Sequence, residues 1–224
     1  MIMVTLYDFL VFIHILLFVF WLGADMGVAV LGQHFRKSSY SMPERLTILK
    51  LLGHIDMFPR SAWALMVPLS ISMLTVGGYW SLAPHITFFV WLIGLGWLTL
   101  VWRLHLRPKS LLSPQLKKIE FILKLLLSVF YTLLGGISLL RDSPLAENWL
   151  ATKSLLFGFI FWAAIMIDIR FRDLTPPLMK LVEQGSTDET EFETLKVMNN
   201  TRIWVRVVYI LLVVTAFIGT TKFY

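Results

Sequence analysis

Within the apolar run HILLFVFWLGAD, residues 14–25, His14, Trp21 and Asp25 share one stripe of a helix. A helix turns about 100° per residue, so eleven residues bring it back to within roughly 20° of its starting direction. An imidazole and a carboxylate in so apolar a segment are costly in lipid, and they belong on a face turned to a protein interior or cavity. A second landmark, Lys153, lies near the start of another apolar run. His14 falls about 10 Å and Lys153 about 6 Å inside the ends of their helices, at 1.5 Å per residue. By the topology of the basic loops these ends share one side of a membrane. Neutral imidazole is a common metal and haem ligand. A buried lysine can be neutral and offer a lone pair of its own. At similar depths, His14 and Lys153 are each a candidate ligand for a metal or haem iron. Against this stand a hydrogen-bonded core histidine and a lysine that snorkels to the surface.

Other residues could shape such a site. Arg60 opens the run RSAWALMVPLSISMLTVGGYW, which has Pro68 at its middle and Gly77-Gly78 toward its far end. A mid-helix proline frees a carbonyl and kinks the helix. Glycines let a flat group or a neighbouring helix come close. Asp25 lies in the inner part of its helix, where Arg60 is a partner for it. Glu120 and Lys124 have the spacing of a favourable intrahelical pair. His34, His54 and His105 all fall toward one face and offer a metal-site alternative to interfacial placing. Met66 and Met73, seven apart, are core methionines or thioethers suited to Cu(I).

These residues need elements to hold them. The chain of 224 residues is 57% apolar, which predicts an integral membrane protein forming a single all-α domain over 1–224. It has no cysteine, which excludes disulfides, thiolate metal sites and iron–sulfur clusters. Residues 1–30 read as a retained first helix rather than a signal peptide, since no Lys or Arg precedes the apolar run. Six segments are long enough to span, at 7–31, 59–82, 85–104, 118–140, 149–169 and 203–221. Lys and Arg crowd the alternate gaps 33–58, 105–117 and 170–202. The positive-inside rule places these gaps in the cytoplasm and both termini outside. The same distribution accounts for the net charge of +6 without nucleic acid. Ser41-Met42-Pro43-Glu44 reads as a capping box opening a short amphipathic helix, and 187–191 as the start of a more polar one.

Three motifs in order give the chain a resemblance to the HemJ-type membrane protoporphyrinogen IX oxidases, and more loosely to the CopD-like copper-resistance membrane proteins. They are His14 with Trp21 and Gly23, Arg60 with Pro68 and Gly77, and Trp149-Leu150 with Lys153. The resemblance covers about half the chain. It implies a bacterial inner-membrane protein with b-type haem at His14 and Lys153, and with Trp21, Arg60, Gly77 and Trp149 around the cofactor. Relative to that family, 84–140 is an added helical hairpin, and Asn199-Asn200-Thr201 lacks the glutamate expected before the last helix. The expected function is electron transfer, either oxidising a porphyrinogen or passing electrons to a quinone or a redox partner protein. Glu120, Asp25 and Asp168 are candidates for a proton path. The partners expected are the lipid bilayer, that redox partner and a second copy of the chain. Two rivals remain: a copper-handling permease using His14, Met66 and Met73, and a non-catalytic anchor subunit that docks a soluble partner through residues 170–202.

Overall fold

The computed structural model describes residues 4–222. Among these residues the chain is all helix, with no strand: α1 Leu6–Phe35, α2 Met42–Ile55, α3 Met57–Val76, α4 Pro84–Leu106, α5 Ser113–Arg141, α6 Asn148–Arg172, α7 Thr175–Gln184 and α8 Asp188–Thr221. Each of the six expected spans lies on a helix. Five helical stretches are long and apolar enough to cross a membrane: α1, α4, α5, α6 continuing into α7, and α8. Phe9, Phe12 and Val19 on α1, Leu126 and Leu133 on α5, and Ile210 and Phe217 on α8 are all more than half exposed. Rows of exposed large apolar side chains along helices with internally satisfied backbones suit lipid, not water. The protein is an all-α, multi-pass membrane bundle.

The remaining predicted span, α3, is 20 residues long but carries Pro59, Arg60, Pro68 and several serines. It ends at Val76, short of the expected residue 82, because Gly77 caps it and Gly78 takes a positive φ of 75°. Its apolar side chains are mostly inside the protein, from Met57 to Ile71.

Two sequence-level elements merge. The polar helix expected at 187 and the span expected at 203 are one 34-residue helix, α8. No proline interrupts it and its first glycine is Gly219. A reciprocal Thr187–Thr190 capping box opens it, with backbone-to-hydroxyl distances of 3.0 and 3.3 Å. At α2, Glu44 accepts from both the amide and the hydroxyl of Ser41 at 2.7 Å, as the capping motif predicts.

The chain forms two compact units. The first holds α1 as far as Val30 together with Leu51–Glu120. Its centre is α3 packed on α4. A side chain at Gly94 would come within 2.6 Å of Pro68 Cγ, so the bare glycine receives the proline ring. Two serines of α3 accept from tryptophans of α4: Trp91 Nε1 to Ser72 at 2.9 Å and Trp102 Nε1 to Ser61 at 3.1 Å.

The second unit holds Leu31–Lys50 and the chain from Phe121 onward. Here α6 packs along α8 and ends at Arg172, and α7, with Pro176-Pro177 in its first turn, packs on α8 as well. Helices α5 and α6 touch backbone to backbone. A side chain at Gly135 would fall 2.6 Å from the Ala151 carbonyl, and one at Gly158 would fall 2.6 Å from the Thr132 amide. At the polar end, Phe35, Leu174 and Met198 form a small core with Ile48, Leu49, Leu178 and Val197 against it.

Candidate functional site

In the first unit, His14 is half-buried on α1 with its Nδ1 atom out of contact with solvent. Two turns on, Trp21 is only 4% exposed. Its ring meets Trp63 of α3 at 5.7 Å, and Trp63 meets Trp97 of α4 edge-on at 5.1 Å. Three buried indoles from three helices thus run inward from the His14 stripe. Offset and edge-on aromatic contacts of this kind hold a rigid, apolar wall.

Further along α1, Asp25 is an electrostatic neighbour of both Asp56 and Arg60. Arg60 Nε binds Asp56 Oδ2 at 2.5 Å, one turn back on the chain. The expected meeting of Asp25 with Arg60 is therefore a three-residue group that includes Asp56, which the sequence did not single out. Gly77 leaves room for the rings of Tyr7 and Tyr79, which a side chain there would strike at 2.7 and 2.8 Å. Its space is taken by tyrosine.

In the second unit, the Trp149-x-x-x-Lys153 spacing places one turn of α6 so that the Lys153 ammonium lies 5.9 Å from the Trp149 ring centroid. Lys222, at the end of α8, reaches the same ring at 5.2 Å. Lys153 Nζ rests where a Gly219 side chain would be, so the α8 glycine gives the lysine its place. Both ammoniums gain from the indole face. His14 belongs to the first unit and Lys153 to the second.

The histidines on the basic side separate. His54 and His105 meet edge-on at 5.3 Å in the first unit, while His34 Nδ1 bonds the Tyr40 hydroxyl at 2.9 Å in the second. Among the described residues no group of three or more His, Cys, Asp or Glu is arranged to hold a metal ion. Met66 is buried and Met73 half-buried on α3. Lys124, read from sequence as the partner of Glu120, binds Asp168 of α6 at 2.8 Å.

Sequence reasoning missed Arg45. It is 0% exposed, donates from Nε to the Phe35 carbonyl at 2.8 Å and grips Glu191 with both Nη atoms at 2.5 and 3.1 Å. Nothing in the spacing of Arg45 marks it, because its partner lies 146 residues away.

Fold and site together define a multi-pass helical membrane protein with a tryptophan-lined histidine face. Compared with known proteins, the chain matches no family model, no curated protein and no solved structure.

Proposed function

We propose that this chain is a b-type haem protein of the bacterial inner membrane, with both termini outside, working in electron transfer. Its anchoring ligand is His14. The observation that carries the reading is the placing, on one face of α1, of a buried imidazole nitrogen and the buried Trp21 ring. The residues present fit the group. The neutral imidazole of His14 would hold the iron through a ring nitrogen, and the indoles of Trp21, Trp63 and Trp97 would offer a flat apolar surface free of competing charge. Haem bound there supplies one-electron chemistry. The chain's part is to hold the imidazole, keep water from the indole wall and set the local polarity. The oxidation of a porphyrinogen, which the family resemblance implies, also needs groups that accept protons. Asp25 of α1 and Asp56 at the N-cap of α3, both beside Arg60, are carboxylates in the same unit.

The test is an optical spectrum of the chain purified from haem-replete cells, oxidised and then reduced with dithionite. A b-type Soret and α-band pair is expected in the wild type, and its loss in His14→Ala. A wild type without haem, or a His14→Ala variant with the wild-type spectrum, overturns the assignment. In the second case His54 is the next ligand to test.

A further inference from the structure

Arg36 follows the end of α1, and its guanidinium is pinned onto α8. Nη1 donates to Asn199 Oδ1 at 3.2 Å and Nη2 to the Met198 carbonyl at 3.1 Å. The third donor, Nε, is buried and has no acceptor. Arg202 and Arg206 follow Met198 at intervals of four residues, so they continue along one face of α8. Both act electrostatically on Arg36: burial first, and then these two charges, hold its guanidinium below its ordinary value. Among the described residues, no carboxylate comes within ion-pair distance of any of the three. A buried donor without an acceptor is costly, and so is a cluster of like charges without a counter-ion. An anion from outside the chain relieves both.

Position selects the anion. The apolar stretch of α1 ends just before Arg36, and that of α8 begins at Ile203. Arg36 and Arg202 therefore lie at the polar boundary of the membrane-spanning segments, with Arg206 one turn further along α8 and long enough to reach back to the level where lipid phosphates lie. The guanidinium fork matches phosphate oxygens in pairs, and basic pockets between membrane helices recognise anionic headgroups. We infer that Arg36, Arg202 and Arg206 form a binding site for a phosphate group, supplied by the headgroup of an anionic phospholipid. The site lies within the second unit and is independent of the haem reading.

The test is native mass spectrometry of the full chain in detergent, with equal amounts of phosphatidylglycerol and phosphatidylcholine. Selective retention of phosphatidylglycerol is expected. Arg202→Gln and Arg206→Gln are each expected to lower that retention about fivefold, the scale of one basic residue at a lipid surface. Arg36→Gln is expected to lower it at least as much. Lys37→Gln, which removes an exposed neighbouring charge outside the cluster, is expected to leave it unchanged. Equal retention of the two lipids, or an equal loss in Lys37→Gln, overturns the site. A parallel thermal melt in phosphatidylcholine micelles separates the sources. Stabilisation by phosphatidylglycerol supports the lipid, whereas stabilisation by inorganic phosphate alone assigns the site to a soluble phosphate and overturns it.

Discussion

Arg45 shows what a single enclosed charge does in this protein. Its guanidinium is wholly inside, stacked 5.0 Å from the Phe35 ring centre and paired in two-pronged fashion with Glu191. Removing one partner strands the other, and breaking a buried pair typically costs about 3–5 kcal/mol. Arg45→Ala is therefore expected to lower the melting temperature in detergent sharply, whereas Arg45→Met with Glu191→Leu recovers much of the loss. A double variant as unstable as the two single variants summed would show that the pair is not coupled. Lys153 gives a second prediction at this scale. If its amine ligates haem iron, Lys153→Ala converts a low-spin spectrum to a high-spin one, and Lys153→Arg does not rescue, because guanidinium has no lone pair to offer. An unchanged spectrum leaves Lys153 as a cation held over Trp149. The chemistry-bearing residues of α1 were legible because helix geometry alone aligns His14, Trp21 and Asp25. The partners of Trp21 were not, since Trp63 and Trp97 come from helices whose rotation only packing fixes.

Helix pairing rests on the small residues. Gly94 faces Pro68 across α3 and α4, while Gly135 and Gly158 let α5 and α6 meet backbone to backbone. Gly94→Ala forces a methyl into the Pro68 ring, and overpacking of this kind costs about 1–3 kcal/mol. Pro68→Ala in the same chain removes the obstacle and is expected to restore most of the melting temperature. If the second change adds to the loss, the two residues do not share that contact. Mid-helix Pro68 was visible in the sequence as a kink or a space for a cofactor, but its use as a knob for Gly94 was not. A proline's effect on its own helix is local, whereas its fit to another helix depends on register. The end of α3 was not read from the sequence: the span expected to reach residue 82 stops at Val76, because Gly77 caps it and Gly78 takes a positive φ. The unbroken run of α8 lacks any such stop, so the change from polar to apolar at residue 203 was misread as a boundary between elements.

For the whole molecule, α3 decides the topology. It is long enough to span, at about 30 Å for 20 residues, yet it is less apolar than the five clear spans and more buried than most. If α3 crosses, the membrane is traversed six times. The loop after α1, the loop between α4 and α5, and the α7 region then share one face, and that face collects nearly all the Lys and Arg. If α3 does not cross, every later helix inverts. Arg36 and Lys37 then lie opposite Arg107 and Lys109, against the charge bias. The chain has no cysteine, so single cysteines report cleanly. Ser39, Lys109, Ser186, Ser81 and Ser143 are all exposed. Introduced one at a time, cysteines at Ser39, Lys109 and Ser186 are expected to resist a membrane-impermeant thiol reagent in intact cells, while those at Ser81 and Ser143 react. With α3 left on one side, Ser39 and Ser81 respond alike and Lys109 responds like Ser186 but opposite to Ser39. That pattern would sink the six-crossing topology and, with it, the outer-side placing of His14 relative to the basic loops.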